Sequence, residues 1–273
     1  MYRNIYVRKN ILLLFSLLVI IVLDSYAVLD ENLVLYLPFD EGKGDIAKDT
    51  TKHKNNGQLH QVEWAKGKYG TAVEFSGVKG GWVEVPDAPS LDITDEITLM
   101  LWVHPTQFTG EWLQMLVKTW AGDGAPWMVY GLYQEGGTQG KVGFILSVDK
   151  AKEKRSPHGP PIKKEEWTHL AATYDGQVQK IYYNGTLKES QKVTGKIDTN
   201  DVPISVGRNN EGDREHYVGL IDEVAIWNKA LTKDEIREAM ESVASVEAKN
   251  KLSSRWGAIK GLYIANTMAV SAE

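Results

Sequence analysis

The chain has 273 residues, no cysteine, and a formal net charge of −5 from 31 basic and 36 acidic side chains. The acidic balance argues against nucleic acid as a partner, because phosphate binding requires a basic face. Without cysteine there is no thiolate nucleophile, no thiolate metal site and no disulfide, so the fold must depend on its hydrophobic core.

Residues 1–27 have the pattern of a secretory signal peptide. Arg3, Arg8 and Lys9 form a basic region ahead of the apolar run Ile11–Leu23. This run is shorter than the roughly 20 residues that span a bilayer, and small residues at Ser25 and Ala27 predict cleavage after Ala27. The alternative is an uncleaved anchor. Removing residues 1–27 leaves 31 − 3 = 28 basic and 36 − 1 = 35 acidic residues, a formal charge of −7.

From Leu33 onward, the sequence consists of short apolar or alternating runs separated by Gly, Asn, Asp and Pro, which predicts a series of strands. The predicted strands are Leu33–Phe39, Gln58–Trp64, Thr71–Phe75, Trp82–Pro86, Ile97–Pro105, Leu113–Trp120, Trp127–Gln134, Lys141–Val148, Trp167–Gly176, Val178–Ser190, Pro203–Arg208 and a final one from Gly219. The run Ile97–Pro105 is apolar on both faces, which indicates a central strand covered on both sides. Asn184-Gly185 predicts a tight hairpin turn, because both of its central residues need a positive φ.

The final strand runs directly into a capped helix. Strict alternation places Leu220, Asp222, Val224 and Ile226 on one face, which we expect to be the core side. Thr232 and Glu235 form a capping box ahead of the apolar stripe Ile236, Ala239 and Met240. The pattern predicts an all-β, two-sheet antiparallel jelly-roll sandwich over residues 28–242 with one short C-terminal helix, followed by a tail at 243–273.

Five ordered segments between Leu33 and Glu241 carry a family resemblance. They are LVLYLPFDEGKG, the loop from Asp49 to Gly57, GKYGTAVEFSGVKGGWVEVPDAPSLD, the pair ITLMLWVHP and WTHLAATYDG, and GLIDEVAIWNKAL. In this order they resemble the laminin-G-like jelly-roll modules of the concanavalin A-like lectin/glucanase superfamily. The Asp49 loop departs from the family's usual Ser-Gly-Asn pattern.

The resemblance implies a structural calcium ion, which relatives often hold where the first strand, an early loop and an acid of a late strand meet. Asp40 and Asp222 match these positions, and Asp49, in a loop rich in Gly and Asn, is the third candidate ligand. Calcium prefers carboxylate and carbonyl oxygens. The alternative is that Asp222 accepts backbone N–H groups or pairs with an arginine such as Arg208.

The aromatic-rich segment Gly110–Gln134 is the predicted ligand-binding region, through Trp112, Trp120, Trp127 and Tyr130. Sugar rings pack their C–H faces on aromatic planes, and nearby polar groups bind the hydroxyls. The alternative is that these rings pack structurally at the rim of the fold. The basic segment Asp149–Glu166 is predicted to be a solvated loop, or a contact for sulfated or uronic polysaccharides.

Catalytic patterns are absent from the sequence. The Glu-x-Asp-x-x-Glu strand of retaining glucanases, the Gln-Ile-His strand of related lyases, HExxH and Gly-x-Ser-x-Gly do not occur. The sequence therefore predicts a secreted, non-catalytic module that binds an extracellular carbohydrate or glycoprotein at a cell surface or in the matrix. The alternatives are an adhesion or assembly protein with a protein partner, and a divergent glycoside hydrolase or polysaccharide lyase. No membrane span is expected after signal cleavage.

Overall fold

A computed structural model describes residues 31–77, 81–109, 112–119, 128–135, 137, 140–150, 152–209 and 215–241. The predicted signal peptide and the tail at 243–273 lie outside these residues. In chain order, the strands are β1 (Leu33–Leu37), β2 (Ile46–Ala47), β3 (Gly57–His60), β4 (Glu63–Lys66), β5 (Thr71–Ser76), β6 (Trp82–Val85), β7 (Ile97–Pro105), β8 (Leu113–Thr119), β9 (Met128–Gln134), β10 (Val142–Val148), β11 (Lys152–Arg155), β12 (Thr168–Tyr174), β13 (Val178–Tyr183), β14 (Thr186–Lys192), β15 (Ile204–Val206) and β16 (Val218–Trp227). One helix covers residues 233–241 of the described chain.

The strands form two antiparallel sheets, as the sequence predicts. The front sheet has the order β11-β10-β9-β8-β15-β6-β3-β2, and the back sheet has the order β14-β13-β12-β7-β16-β5-β4, with β1 also paired to β16. Sequence alternation decides which side chains lie between the sheets. In β6, for example, Val83 and Val85 are fully buried in the core, so Trp82 and Glu84 point to the outer face.

The central strand β7 is buried on both sides, as predicted. Leu99 and Leu101 belong to the core between the sheets, whereas Met100 belongs to a second apolar cluster with Trp227 and Ile236. The C-terminal helix therefore covers the outer face of the back sheet. Burying a side chain such as Ile236 stabilises the fold by about 1.5–3 kcal/mol.

Two local predictions are confirmed. The Thr232 N–H donates to Glu235 Oε2 at 2.7 Å, and the Glu235 N–H donates to Thr232 Oγ1 at 3.3 Å, which completes the capping box. Asn184 and Gly185 have φ values of 48° and 67° and form the turn between β13 and β14.

The prediction that Asp222 points toward the core is wrong. β16 shifts its register between Asp222 and Ala225, and Glu223 has a φ of 55°, so a bulge interrupts the alternation there. Ile221 and Val224 therefore both enter the core, and Asp222 lies opposite Trp102 on the outer face of the back sheet. One extra residue in a strand moves the side chain of every preceding residue in that strand to the opposite face of the sheet.

Two segments differ from their predicted forms. The single strand predicted at Gln58–Trp64 is divided between β3 in the front sheet and β4 in the back sheet, with Gln61 at a φ of 50° between them. The segment Asp149–Glu166 is not only a loop, because β11 pairs with β10 at the edge of the front sheet. Among the described residues, no helix has both the length and the apolar character to cross a membrane.

Candidate functional site

The outer face of the front sheet carries a row of aromatic and polar side chains at one level. His60 pairs with Trp82 across β3 and β6, and Gln114 pairs with Tyr133 across β8 and β9. Val206 of β15 pairs with both Val83 and Leu116, and the N–H of the next residue, Gly207, donates to the carbonyl of Met115 at 3.1 Å. Trp82 and Gln114 are therefore within about one residue of the same height. We call these residues, with the side chains stacked on them, the outer-face row. The strands of Trp82 and Tyr133 are three steps apart, which is about 14 Å at the usual strand spacing.

Trp112 marks one end of the outer-face row. Its side chain is 39% exposed, and its ring lies 5.5 Å from that of Tyr133 at an angle of 43°. The guanidinium of Arg155 lies 5.2 Å from the Trp112 ring centre and 5.6 Å from that of Tyr133. Gly143 makes room for this arrangement, since a Cβ there would lie 2.6 Å from Tyr133 Oη. An exposed ring backed by a cation and a second ring is a firm platform for the apolar face of a ligand.

A polar chain runs from Tyr133 to the edge of the sheet. Tyr133 Oη lies 3.2 Å from His158 Nε2, and His158 Nδ1 lies 3.5 Å from Glu135 Oε1. Burial raises the pKa of the Tyr133 hydroxyl. Burial, together with the charges of Lys141 and Arg155, lowers the pKa of His158. Both groups are therefore neutral hydrogen-bonding partners at neutral pH.

Trp82 occupies the other end of the outer-face row. Its ring is stacked on His60 at 4.0 Å and 15°, and the guanidinium of Arg208 lies 3.5 Å from its centre. Among the described residues, no hydrogen-bond partner is present for Trp82 Nε1 or for the fully buried Ser205 Oγ. Buried polar atoms usually have such partners, so these two are exceptions within the row.

Amide groups and a carboxylate lie between the two ends. Gln114 Nε2 and Asn209 Nδ2 each lie 3.0 Å from Glu215 Oε2, and the Gln114 N–H donates to the Glu215 carbonyl at 3.1 Å. The row thus combines flat apolar surfaces with fixed hydrogen-bonding groups, which is the general composition of a small-molecule or sugar site.

The predicted ligand-binding residues have different positions. Trp112 lies in the outer-face row, and Trp120 and Trp127 fall outside the described residues. Tyr130 is fully buried in the core and donates its hydroxyl to the Leu91 carbonyl at 3.1 Å. This position does not support a ligand-binding role for Tyr130, because its ring presents no face to solvent.

Trp82 and His60 were not predicted as members of the site, whereas Arg155 was predicted only as part of the basic segment Asp149–Glu166. The alternation around Trp82 is a usable signal, because its neighbours Val83 and Val85 must face the core. No comparable signal brings together β3, β6 and β9, since their pairing involves strands that are distant in the sequence.

Asp222 is a buried carboxylate on the opposite side of the molecule. Its Oδ2 accepts the N–H groups of Lys68 at 2.9 Å and Tyr69 at 3.2 Å, and its buried Oδ1 has no hydrogen-bond partner among the described residues. Gly67 permits this approach, because a Cβ there would lie 2.6 Å from Asp222 Oδ2. Burial, opposed by the Tyr69 N–H and reinforced by the charge of Asp40, raises the pKa of Asp222 to about 8.

Asp222 accepts two backbone N–H groups through one oxygen, which leaves its metal role a prediction, and Arg208 stacks on Trp82 rather than pairing with Asp222. Asp40 is exposed, and its Oδ1 accepts the Thr71 N–H at 3.2 Å. Throughout the described part of the chain, no three His, Cys, Asp or Glu side chains converge as a metal-binding group. Asp222, with its orphaned oxygen, and Asp40, whose charge acts on it, would supply two carboxylates to a cation.

Asp49 has a different set of contacts from Asp222. Its Oδ1 accepts the N–H groups of Tyr36 at 3.0 Å and Thr51 at 2.9 Å. Its Oδ2 accepts the Thr51 hydroxyl at 2.8 Å and the Asn55 N–H at 2.7 Å. Asp49 therefore joins its loop to β1, and its role as a metal ligand stays a prediction.

His169 lies in the same outer face as Asp222, with its ring 5.3 Å from that of Trp102. Burial lowers its pKa from 6.5 to about 3. In the unfolded chain the imidazole binds a proton below pH about 6.5, whereas in the folded protein it does so only near pH 3. The contribution to stability is therefore complete above pH about 6.5 and is lost as the pH falls toward 3, by a few kcal/mol at most.

We expect the variant His169→Gln to lose less stability than the wild type on acidification across this range. Urea unfolding at a series of pH values measures the difference, and His53→Gln, in the Asp49 loop, is the matched control. Equal acid sensitivity of the wild type and His169→Gln would contradict the burial of a neutral imidazole.

Comparisons with known proteins agree with this architecture. Domain 4 of AbnA, an extracellular arabinanase of Geobacillus stearothermophilus solved in complex with arabinotriose, matches with a TM-score of 0.59 and 23% identity over 76% of this chain and 98% of that domain. The binding domain of Paraclostridial Mosquitocidal Protein 1 matches with a TM-score of 0.63 and 17% identity over 78% of this chain and 52% of that one. At these identities the likeness concerns the fold.

Two human proteins are similar in sequence over 103 residues, or 36% of this chain. Adhesion G-protein coupled receptor D1 is 35% identical and pappalysin-1 is 30% identical, and the matches cover 11% and 6% of their respective lengths. The chain thus matches only a small part of each of these curated relatives. The laminin-G model of the concanavalin A-like lectin/glucanases superfamily matches residues 76–237, which is more than half of the chain. The two-sheet architecture agrees with this match. The protein therefore belongs to the concanavalin A-like lectin/glucanase superfamily, as a laminin-G-type domain.

Proposed function

We propose that this domain is an extracellular, non-catalytic module that binds carbohydrate on the outer face of its front sheet. The observation that carries the proposal is the exposed ring of Trp112, which lies against Tyr133 and Arg155 at the end of the outer-face row. A pyranose or furanose ring placed on Trp112 would lie beside the partly exposed side chains of Arg155 and His158, whose nitrogen atoms would bind its hydroxyls.

The family and its relatives support this function. Domain 4 of AbnA was solved with arabinotriose, which shows that a domain of this architecture accommodates a sugar chain. Glu215, at the centre of the row, is held by two side-chain amides, an arrangement that suits an orienting acceptor better than an acid or base in a reaction. The pattern of residues 1–27 supports secretion.

Replacing Trp112 tests the proposal directly. We expect Trp112→Ala to weaken the binding of the best ligand from a glycan panel by tenfold or more, equivalent to about 1.4 kcal/mol, because aromatic anchors dominate such interfaces. Intrinsic tryptophan fluorescence and titration calorimetry measure the loss, and arabino-oligosaccharides belong in the panel. Leu187→Ala is the matched control, because Leu187 is a 45% exposed apolar residue on the back sheet.

A panel in which no glycan binds above background would overturn the carbohydrate proposal. The protein-partner alternative would then take its place, supported by the 35% identity to a segment of an adhesion receptor. Release of reducing ends from a bound glycan would instead identify a hydrolase and overturn the non-catalytic assignment.

We further propose that Asp40 and Asp222 hold a structural calcium ion on the back sheet. The ion would neutralise two carboxylates, of which Asp222 is buried with one oxygen that has no partner among the described residues. Its contribution would be to hold β16 against the loop at 67–70 and the end of β1, and we expect it to have no contact with the outer-face row.

A further inference from the structure

The edge of the front sheet next to Trp112 is basic. The stretch 141–166 contains seven basic and four acidic residues in a chain whose net charge is −5. Because β11 pairs with β10, this stretch is folded onto one edge of the sheet. Its basic residues are Lys141, Lys150, Lys152, Lys154, Arg155, Lys163 and Lys164. We call this set the basic edge.

The lysines of the basic edge are mostly exposed. Lys141, Lys150, Lys152, Lys163 and Lys164 all lie on the surface. Only one acidic partner is within ion-pairing distance of these five, since Lys163 Nζ lies 3.1 Å from Glu166 Oε1 and no other ion pair involves them in the described chain. Exposed positive charge that is not neutralised locally attracts anionic ligands over distances of about 10 Å at ordinary ionic strength.

Arg155 connects the basic edge to the aromatic platform. Its Nε donates to Glu153 Oε1 at 2.6 Å, and its side chain is 33% exposed. The same guanidinium lies over both Trp112 and Tyr133. A guanidinium held in this way keeps its planar set of donors in one orientation, and it presents those donors beside the ring on which a sugar would stack.

We infer that the ligand of the outer-face row is an acidic polysaccharide, whose carboxylate or sulfate groups are bound by Arg155 and attracted by the lysines of the basic edge. The inference rests on the proposed function, because it concerns the same face and the same Trp112 platform. It adds the chemical class of the ligand. In geometric terms, a sugar ring lies on Trp112 while its anionic substituent meets the Arg155 guanidinium.

The test compares three polymers with the full chain: a polyuronate without sulfate, a sulfated glucan without uronate, and a neutral glucan. We expect an acidic polymer to bind at least tenfold more tightly than the neutral one, with an affinity that falls as the salt concentration rises. Arg155→Gln should remove most of this preference. Arg155→Lys should keep only part of it, because lysine lacks the planar guanidinium that donates two parallel hydrogen bonds to one anionic group. Lys152→Gln should weaken the salt dependence, whereas Lys192→Gln on the back sheet is the matched control.

The outcomes separate the inference from the function on which it rests. Equal binding of acidic and neutral polymers, lost in Trp112→Ala, would overturn the inference and leave the carbohydrate function intact. Binding of no polymer or glycan would overturn both. A preference for acidic polymers that survives in a folded Arg155→Gln variant would also overturn the inference. The comparison of the uronate and sulfate polymers identifies which anionic group the site accepts.

Discussion

Replacing Gly219 by alanine is expected to destabilise the domain by about 3–5 kcal/mol, because two costs combine at this position. Gly219 has a φ of 138°, where residues with a side chain are strained. A Cβ there would also overlap the carbonyl oxygen of His104 and would lie 2.8 Å from Pro105 Cα, both of them backbone atoms of the neighbouring strand. Neither neighbour can move without disturbing the pairing of β16 with β7.

Thermal unfolding measures this effect, and a loss of this size corresponds to a melting temperature about 10 °C lower for a domain of this length. Gly44→Ala is the matched control, because Gly44 also has a positive φ, of 80°, but no atom lies within 4 Å of its Cβ position. We expect the control to cost only about 1–2 kcal/mol. Equal losses in the two variants would show that β16 does not approach β7 as closely as described.

Calcium is expected to raise the melting temperature of the wild-type domain, and a chelator should reverse the change. At a calcium concentration about 100 times the dissociation constant, the stabilisation is about 2.7 kcal/mol, or roughly 5–10 °C. Asp222→Asn should abolish the response, because the amide keeps the shape of the side chain but cannot supply a charged oxygen. An unchanged melting temperature in calcium and in chelator would reject the structural cation.

Asp49→Asn distinguishes the two roles that are open to Asp49. If Asp49 only organises its loop, the variant should be less stable than the wild type, because it loses part of a four-bond acceptor set. Its calcium-induced shift should nevertheless match that of the wild type. Loss of the shift in a folded Asp49→Asn variant would instead confirm Asp49 as a ligand.

The predictions for Gly219 and Asp222 concern the back sheet, whereas the proposed ligand face lies on the front sheet. β16 pairs with β1, β5 and β7, so the last strand is joined to three strands from the first half of the described chain. We therefore expect Asp222→Asn to alter stability but to leave glycan affinity nearly unchanged as long as the domain is folded.

Local features of this protein could be determined from its sequence by itself. The alternation of Val83 and Val85 assigns a core face to β6, the Thr232–Glu235 box begins the helix, and Asn184-Gly185 places a hairpin turn. The ordered segments were also sufficient for the family, and hence for the two-sheet fold. The core face, the capping box and the hairpin turn depend on residues that are close in the chain, and the family resemblance depends on the order of such local segments.

The site depended on tertiary structure. The bulge at Glu223 moved Asp222 to the outer face, and no regular alternation can predict where one extra residue enters a strand. Tyr130 and Tyr133 lie three residues apart on β9, so alternation places them on opposite faces, and only the packing of the two sheets decided that Tyr130 faces the core. His60, Trp82 and Tyr133 share one level only because β3, β6 and β9 enter the same sheet through pairing between distant strands, which the sequence does not encode locally.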